Sequence, residues 1–272
     1  MNIIDIITTP AVLIGLFIGS FLNVITMRLP KKEGFVKGRS RCVHCGHDLS
    51  WKDLIPLFSF ISLRGKCRYC GAKLSRRYPA AELVVAGLFL LAFRFADTLP
   101  RAIFACVLFS VLYVIAVIDI ETMTVPDSCN IIVALLGVVV FVSTFIKPGL
   151  FTAVPTEWKQ HLIGAAIIAV PFAVLAYFGG MGGGDVFLMA GAGLMLGWAV
   201  VPAAFVGIVL GAVGGFIMKI RGSKSEIPFG PFLAAGIVVG FLWGNDIISW
   251  YQSVFFVPEL GWLPEDITWT VS

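Results

Sequence analysis

Eight apolar runs decide what this 272-residue chain can become. They lie at roughly 9–27, 80–96, 101–118, 128–146, 161–178, 185–200, 202–220 and 229–246. A helix needs ~17–25 apolar residues to cross a bilayer, and its internal hydrogen bonds satisfy the backbone there. Eight such runs predict an all-α polytopic membrane protein. Composition excludes the alternatives. With 58% hydrophobic and 13% charged residues, a soluble domain would lack the polar side chains to cover its surface. Disordered chains are poor in apolar residues. Six Cys in this length are too few for a secreted disulfide scaffold. Glycines crowd the last three runs. Gly191, Gly193, Gly197, Gly207, Gly211, Gly214 and Gly215 predict close approach between helices.

The basic residues fix an expected orientation. Residues 28–77 hold 13 of the 20 Lys+Arg, and Lys219, Arg221 and Lys224 add three. Eight crossings put both groups on one side. Only Arg94, Arg101, Lys147 and Lys159 fall on the other. By the positive-inside rule the richer side is cytosolic. Residues 1–10 carry no basic residue, so nothing there reads as a cleaved signal. Both termini are then external. The expected organisation is a first transmembrane helix over 1–27, a cytosolic loop over 28–78, a membrane-embedded core over 79–250 and an external tail over 251–272. Trp262 and Trp269 among Glu259, Glu265 and Asp266 give that tail an interfacial character.

The cytosolic loop contains an internal repeat. Residues 42–50 and 67–75 both read C-x-x-C-G-x-x-L-S, with 21 residues between the two C-x-x-C pairs. Cys42, Cys45, Cys67 and Cys70 therefore offer four thiolates, the tetrahedral set that structural zinc prefers. The cytosol disfavours disulfides between them. A closed four-Cys site leaves no open position for water, so the expected metal is structural. His44 and His47 are possible ligands but read better as solvated. Cys106 and Cys129 read as small buried residues. The basic residues anchor topology and suit anionic headgroups. No nucleic-acid-binding motif accompanies them.

Acids within spans are costly and usually functional. Asp119 closes the third run, and Asp185 opens the sixth after Gly182-Gly183-Gly184. Both fall on the expected cytosolic side. Two carboxylates meeting in a poorly hydrated site can divide the work: one holds a proton, the other acts as base. Such a pair activates water for attack on a peptide carbonyl. Gly182 and Gly184, lacking Cβ atoms, would let an extended substrate approach. The other acids have simpler readings: Asp127 as a cap after Pro126, Glu82 at a helix start, Glu121 in solvent, Asp246 at the interface. The chain has three His (44, 47 and 161) and contains neither H-E-x-x-H, G-x-S-x-G nor a phosphate loop. A proton- or cation-coupled transporter using buried carboxylates is the alternative, although it leaves the Cys repeat without a task.

In this order the motifs resemble the bacterial prepilin peptidases. They begin with Ser20-Phe21-Leu22-Asn23-Val24 and Arg28-Leu29-Pro30, then the two Cys knuckles with Ile55-Pro56-Leu57 and Arg64-Gly65-Lys66 between them. Arg77-Tyr78-Pro79-Ala80-Ala81-Glu82-Leu83, Ile118-Asp119, Val125-Pro126-Asp127, Gly182 to Asp185, and Ile227 to Ala234 follow. The resemblance implies a G-x-G-D intramembrane aspartyl protease. Its catalytic aspartates map onto Asp119 and Asp185, and its motif glycines onto Gly182 and Gly184. Such enzymes cut a short basic leader from type IV prepilins or type II secretion pseudopilins at the cytosolic face of the inner membrane. Many then methylate the new N-terminus with S-adenosylmethionine. The substrates carry an apolar helix behind the leader. The family often has Lys two residues after the motif Asp, where this chain has Phe187.

Overall fold

The computed structural model describes residues 3–34, 40–221 and 227–255. The helices are α1 (Ile3–Arg28), α2 (Phe58–Ser62), α3 (Arg77–Phe95), α4 (Leu99–Thr122), α5 (Asp127–Ile146), α6 (Trp158–Tyr177), α7 (Gly183–Leu196), α8 (Val200–Ile220) and α9 (Gly230–Phe255). Among the described residues, extended pairing is confined to two isolated antiparallel bridges, both in the Cys loop.

Seven helical stretches are long and apolar enough to cross a membrane, and one of them, Gly183–Ile220, has 38 residues. Unbroken, at ~1.5 Å per residue it would measure ~57 Å, about twice the ~30 Å hydrocarbon core. It is broken at Gly197, whose φ of 57° opens a single 3-10 turn ending at Ala199. The stretch is therefore two helices, α7 and α8, and the chain is a multi-pass protein of eight membrane helices, as expected. Several helices outrun their apolar cores. Internal hydrogen bonding lets α9 continue to Phe255. Residues 256–272, including Trp262 and Trp269, lie outside the described residues.

Neighbours in sequence pack as antiparallel pairs where small residues allow it. A methyl added at Gly193 of α7 would lie 2.6 Å from the Gly164 carbonyl oxygen of α6. One added at Gly240 of α9 would lie 3.0 Å from the Ala199 carbonyl. One added at Gly207 would lie 3.2 Å from the Leu233 Cα. Lipid tails are as apolar as these side chains, so such close backbone contact is what holds the helices together. The α5–α7 pair is parallel, with Gly137 against the Gly191 carbonyl and Asn130 against Gly184. Helix α4 runs through the middle. Its Phe109, Leu112, Ile115 and Ile118 are fully buried, as are Leu188 and Met189 of α7 and Leu233 and Ile237 of α9.

This alternation brings the C-terminal ends of α1, α4, α6 and α8 to one end of the bundle. The N-terminal ends of α3, α5, α7 and α9 join them there. That end carries the Cys loop.

Candidate active site and four-cysteine centre

The two Cys knuckles fold alike. In the first, Gly46 N–H donates to the Cys42 carbonyl (2.9 Å) and Cys42 N–H to the His47 carbonyl (3.0 Å). In the second, Gly71 N–H donates to Cys67 (3.0 Å) and Cys67 N–H to Ala72 (2.8 Å). The turns need φ of 70° at Gly46 and 69° at Gly71, a backbone region that glycine enters without strain. Each knuckle is closed by a bridge, Arg41 to Asp48 and Lys66 to Lys73.

The four Sγ atoms lie within 4.8 Å of one another, and Cys42 Sγ is 3.9 Å from Cys70 Sγ. Four Zn–S bonds of ~2.3 Å in a tetrahedron set the sulfurs ~3.8 Å apart, so the set fits that ion. All four thiols are unbridged. Backbone N–H groups of Cys45 and His44 pull the Cys42 thiol down to about 6, toward the ligating thiolate. Neither His joins the cluster. The His47 ring packs on Tyr69, with centroids 3.7 Å apart. Burial pushes Asp53 up, but hydrogen bonds from Arg68 (2.7 Å), Ser50 and Tyr69 hold its carboxyl at about 2. That network ties the segment between the knuckles to the second knuckle.

Two charged side chains fasten this loop and α1 to the bundle. Glu82 of α3 is buried and accepts the Leu57 N–H (2.8 Å) and the Ser20 hydroxyl. Arg77 opens α3. Its Nε donates to Asn23 Oδ1 (3.0 Å) and its Nη2 to Thr26 Oγ1 (2.9 Å), both groups buried on α1. Its Nη1 is ion-paired with Glu121, two residues beyond Asp119. Sequence reasoning gave Glu82 only a helix-dipole role and left Glu121 in solvent. Arg77 was read only as part of a motif.

Asp119 and Asp185 meet at this end of the bundle. Asp119 stands one turn before the end of α4 and is 5% exposed. Its Oδ2 accepts the Gly230 N–H at 2.8 Å, at the start of α9. Asp185 lies in the first turn of α7 and is 7% exposed, close enough to Asp119 to feel its charge. Helix α7 starts low in the bundle. The register that faces Gly193 with Gly164 puts Asp185 beside Phe172, five residues before the end of α6, a recess of ~8 Å at ~1.5 Å per residue.

The two motif glycines differ. A methyl at Gly182 would meet nothing closer than Asp185 Oδ2, at 3.5 Å. Gly184 is packed against Val125 of the α4–α5 link, where a methyl would lie 2.9 Å from the valine Cβ. The Gly184 carbonyl accepts Asn130 Nδ2 at 3.0 Å. Asp185 Oδ1 and Asn130 Oδ1 are buried acceptors with no donor among the described residues. A site with two orphan acceptors is ready to receive O–H or N–H groups from a water or a peptide. Asn130 was missed as a site residue because it lies outside every motif, and Gly230 because it stood only as one letter of the 227–234 motif. Phe187 is 70% exposed, so the side chain two residues after Asp185 faces outward. His161 lies at the opposite end, donating from Nδ1 to the Leu194 carbonyl (2.9 Å), which leaves Nε2 to accept from Thr156. Cys106 and Cys129 are buried, as expected.

Comparison with known proteins agrees with this arrangement. Residues 13–95 match the profile described as the bacterial Peptidase A24 N-terminal domain. Residues 106–217 match the Type IV leader peptidase family. The chain is 36% identical over 245 residues to the prepilin leader peptidase/N-methyltransferase of Bacillus subtilis (strain 168), covering 87% of this chain and 94% of that one. It is 33% identical over 277 residues to the protein of the same name from Aeromonas hydrophila, covering 89% and 93%. A third, from Stutzerimonas stutzeri, is 33% identical over 273 residues, with 89% and 92% covered. No solved structure matches the chain. A multi-pass bundle with a four-Cys loop and two buried aspartates at one end, matched along nearly its whole length, belongs to the type IV leader peptidase family.

Proposed function

We propose that the protein is an intramembrane aspartyl endopeptidase with Asp119 and Asp185 as its catalytic dyad. It removes the basic leader of type IV prepilins or pseudopilins and methylates the exposed N-terminus. The observation that carries the reading is the meeting of these two buried carboxylates, 66 residues apart in sequence, at one end of α4 and α7.

The Gly230 N–H steadies one oxygen of Asp119. A water between the carboxylates loses a proton to the ionised one as its oxygen attacks the scissile carbonyl. The protonated carboxyl donates to that carbonyl. The open side of Gly182 and the orphan oxygens of Asp185 and Asn130 suit an extended peptide whose N–H groups need acceptors. The substrate's apolar helix lies among the membrane helices, with its leader on the side of the Cys loop. By the positive-inside rule that side is the cytosolic face of the bacterial inner membrane. The four Cys residues hold a structural zinc, and S-adenosylmethionine supplies the methyl group. Neither the geometry nor the relatives favour cation transport.

The test is a prepilin-like peptide incubated with purified protein in detergent, followed by mass measurement. Asp119→Asn and Asp185→Asn should each lose cleavage by about 10³-fold or more while still inserting into membranes. Full cleavage by either variant overturns the dyad.

A further inference from the structure

The segment between the two Cys knuckles presents an apolar face that the bundle does not cover. Trp51 is 71% exposed, Phe58 65% and Ile61 71%. Phe58 and Ile61 stand three residues apart on α2 and so share one side of it. Phe60 and Leu63 turn the other way and line the cavity under the loop. Large apolar side chains clustered on an otherwise polar loop mark a contact with something outside it.

The depth of the segment says what that is. The Leu57 N–H, between Trp51 and Phe58, donates to Glu82 of α3 at 2.8 Å, and Ser20 of α1 donates to the same carboxyl. Glu82 lies five residues inside α3, and Ser20 lies eight residues before the end of α1. At ~1.5 Å per residue the attachment is ~8 Å below one helix end and ~12 Å below the other. Helix α3 has 19 residues, ~28 Å, close to the thickness of the hydrocarbon core, so its first turn marks the bilayer boundary. At the level of the attachment, Phe17 and Phe21 of α1 and Leu83 and Val84 of α3 are exposed, which on membrane helices means toward lipid. The middle of the loop is thus drawn into the zone where amphipathic segments lie, ~5–10 Å into the headgroup and acyl boundary.

Charge agrees with depth. Residues 51–76 hold six basic residues, Lys52, Arg64, Lys66, Arg68, Lys73 and Arg76, against one acid, Asp53, which Arg68 already pairs. A zinc held by four thiolates would subtract two charges and leave the segment basic. The Lys52 ammonium lies 5.6 Å from the Trp51 ring centre. Interfacial segments use this combination, with rings at the headgroup level and cations on anionic lipid. A substrate's basic leader would be repelled by the same charges.

We infer that residues 51–62 form an interfacial membrane anchor. Trp51, Phe58 and Ile61 insert into the leaflet on the loop side, while Lys52 and Arg64 rest on anionic headgroups. The Cys loop is then clamped twice, to α3 through Glu82 and to lipid through this face, and it stays against the membrane at the dyad end of the bundle.

The test places the photoreactive residue p-benzoylphenylalanine at position 58, at position 61 or, as a control, at the exposed position 44 of the first knuckle. The full chain is reconstituted in vesicles of phosphatidylethanolamine and phosphatidylglycerol, irradiated and weighed by mass spectrometry. Phospholipid adducts at 58 and 61 should exceed those at 44 by about tenfold or more. The double variant Phe58→Glu, Ile61→Glu should raise hydrogen exchange over residues 51–63 about tenfold in the same vesicles at unchanged metal content. Replacing phosphatidylglycerol by phosphatidylcholine should raise it by less in the wild type. Adducts at 58 and 61 confined to protein, whether this chain, a second copy or an added prepilin, overturn the anchor. Lipid labelling no stronger than at 44, or exchange unchanged in the double variant, also overturns it. If the double variant loses its metal, the photolabelling decides alone.

Discussion

Gly230→Ala tests the link between backbone geometry and the dyad. Gly230 opens α9, and its N–H holds Asp119 Oδ2 at 2.8 Å. An alanine Cβ there would lie 2.9 Å from that oxygen and 3.1 Å from both Cβ and Cγ of Asp119. Comfortable contact begins at ~3.5 Å, so about half an ångström must be found. Rotating the carboxylate relieves only the first clash. The Asp119 Cβ is fixed to the α4 backbone, so α4 and α9 must separate, and the hydrogen bond lengthens with them. Overpacking of this kind costs ~1–3 kcal/mol of stability. Misplacing a catalytic group by up to ~1 Å costs up to ~10²-fold in rate. We expect kcat to fall about 10–100-fold, with KM little changed. Gly240→Ala is the control. It crowds Ala203 Cβ at 2.5 Å and the Ala199 carbonyl at 3.0 Å, ten residues further along the same helix than Gly230, and should lower the melting midpoint while kcat holds. The assay is cleavage of a leader-bearing peptide over a range of concentrations, with thermal melting in parallel. Wild-type kcat in Gly230→Ala, or equal kcat loss in both variants, refutes the reasoning.

Arg77→Ala removes the guanidinium donors to Asn23 and Thr26, both buried on α1, and frees Glu121; thermal melting should show a loss of ~2–4 kcal/mol, with Arg77→Lys intermediate. Metal analysis should find one zinc per chain, and Cys45→Ser or Cys70→Ser should lower zinc retention and raise hydrogen exchange over residues 40–75 before cleavage falls. Asn130→Ala removes the donor to the Gly184 carbonyl and an orphan acceptor; a roughly tenfold drop in kcat/KM, with the protein still folded, is the outcome to look for in steady-state cleavage.

The Cys knuckles were legible because metal-ligand spacing is local: four residues and a glycine describe a turn completely. The eight crossings were legible because a bilayer imposes a length, and even the break at Gly197 follows from a 38-residue stretch too long to cross once. Asp119 and Asp185 stood out because charge is scarce in apolar runs. What the sequence hid depends on which helix faces which. Glu82 looked like a helix-start acid until Leu57, from the loop, arrived to donate to it. Glu121 is exposed, as read, but its ion pair was hidden because its partner Arg77 is 44 residues earlier. Gly182 and Gly184 looked equivalent, yet only the second carries tight packing on Val125.

These hidden roles share a cause. A polar group inside a membrane protein has no water to fall back on, so each must find a partner in the fold or await one from outside. Arg77 satisfies Asn23 and Thr26 within the fold. Among the described residues, Asp185 Oδ1 and Asn130 Oδ1 are left without a donor. These two acceptors lie at the carboxylates proposed to cut the peptide, and N–H and O–H donors of a bound peptide and water would satisfy them.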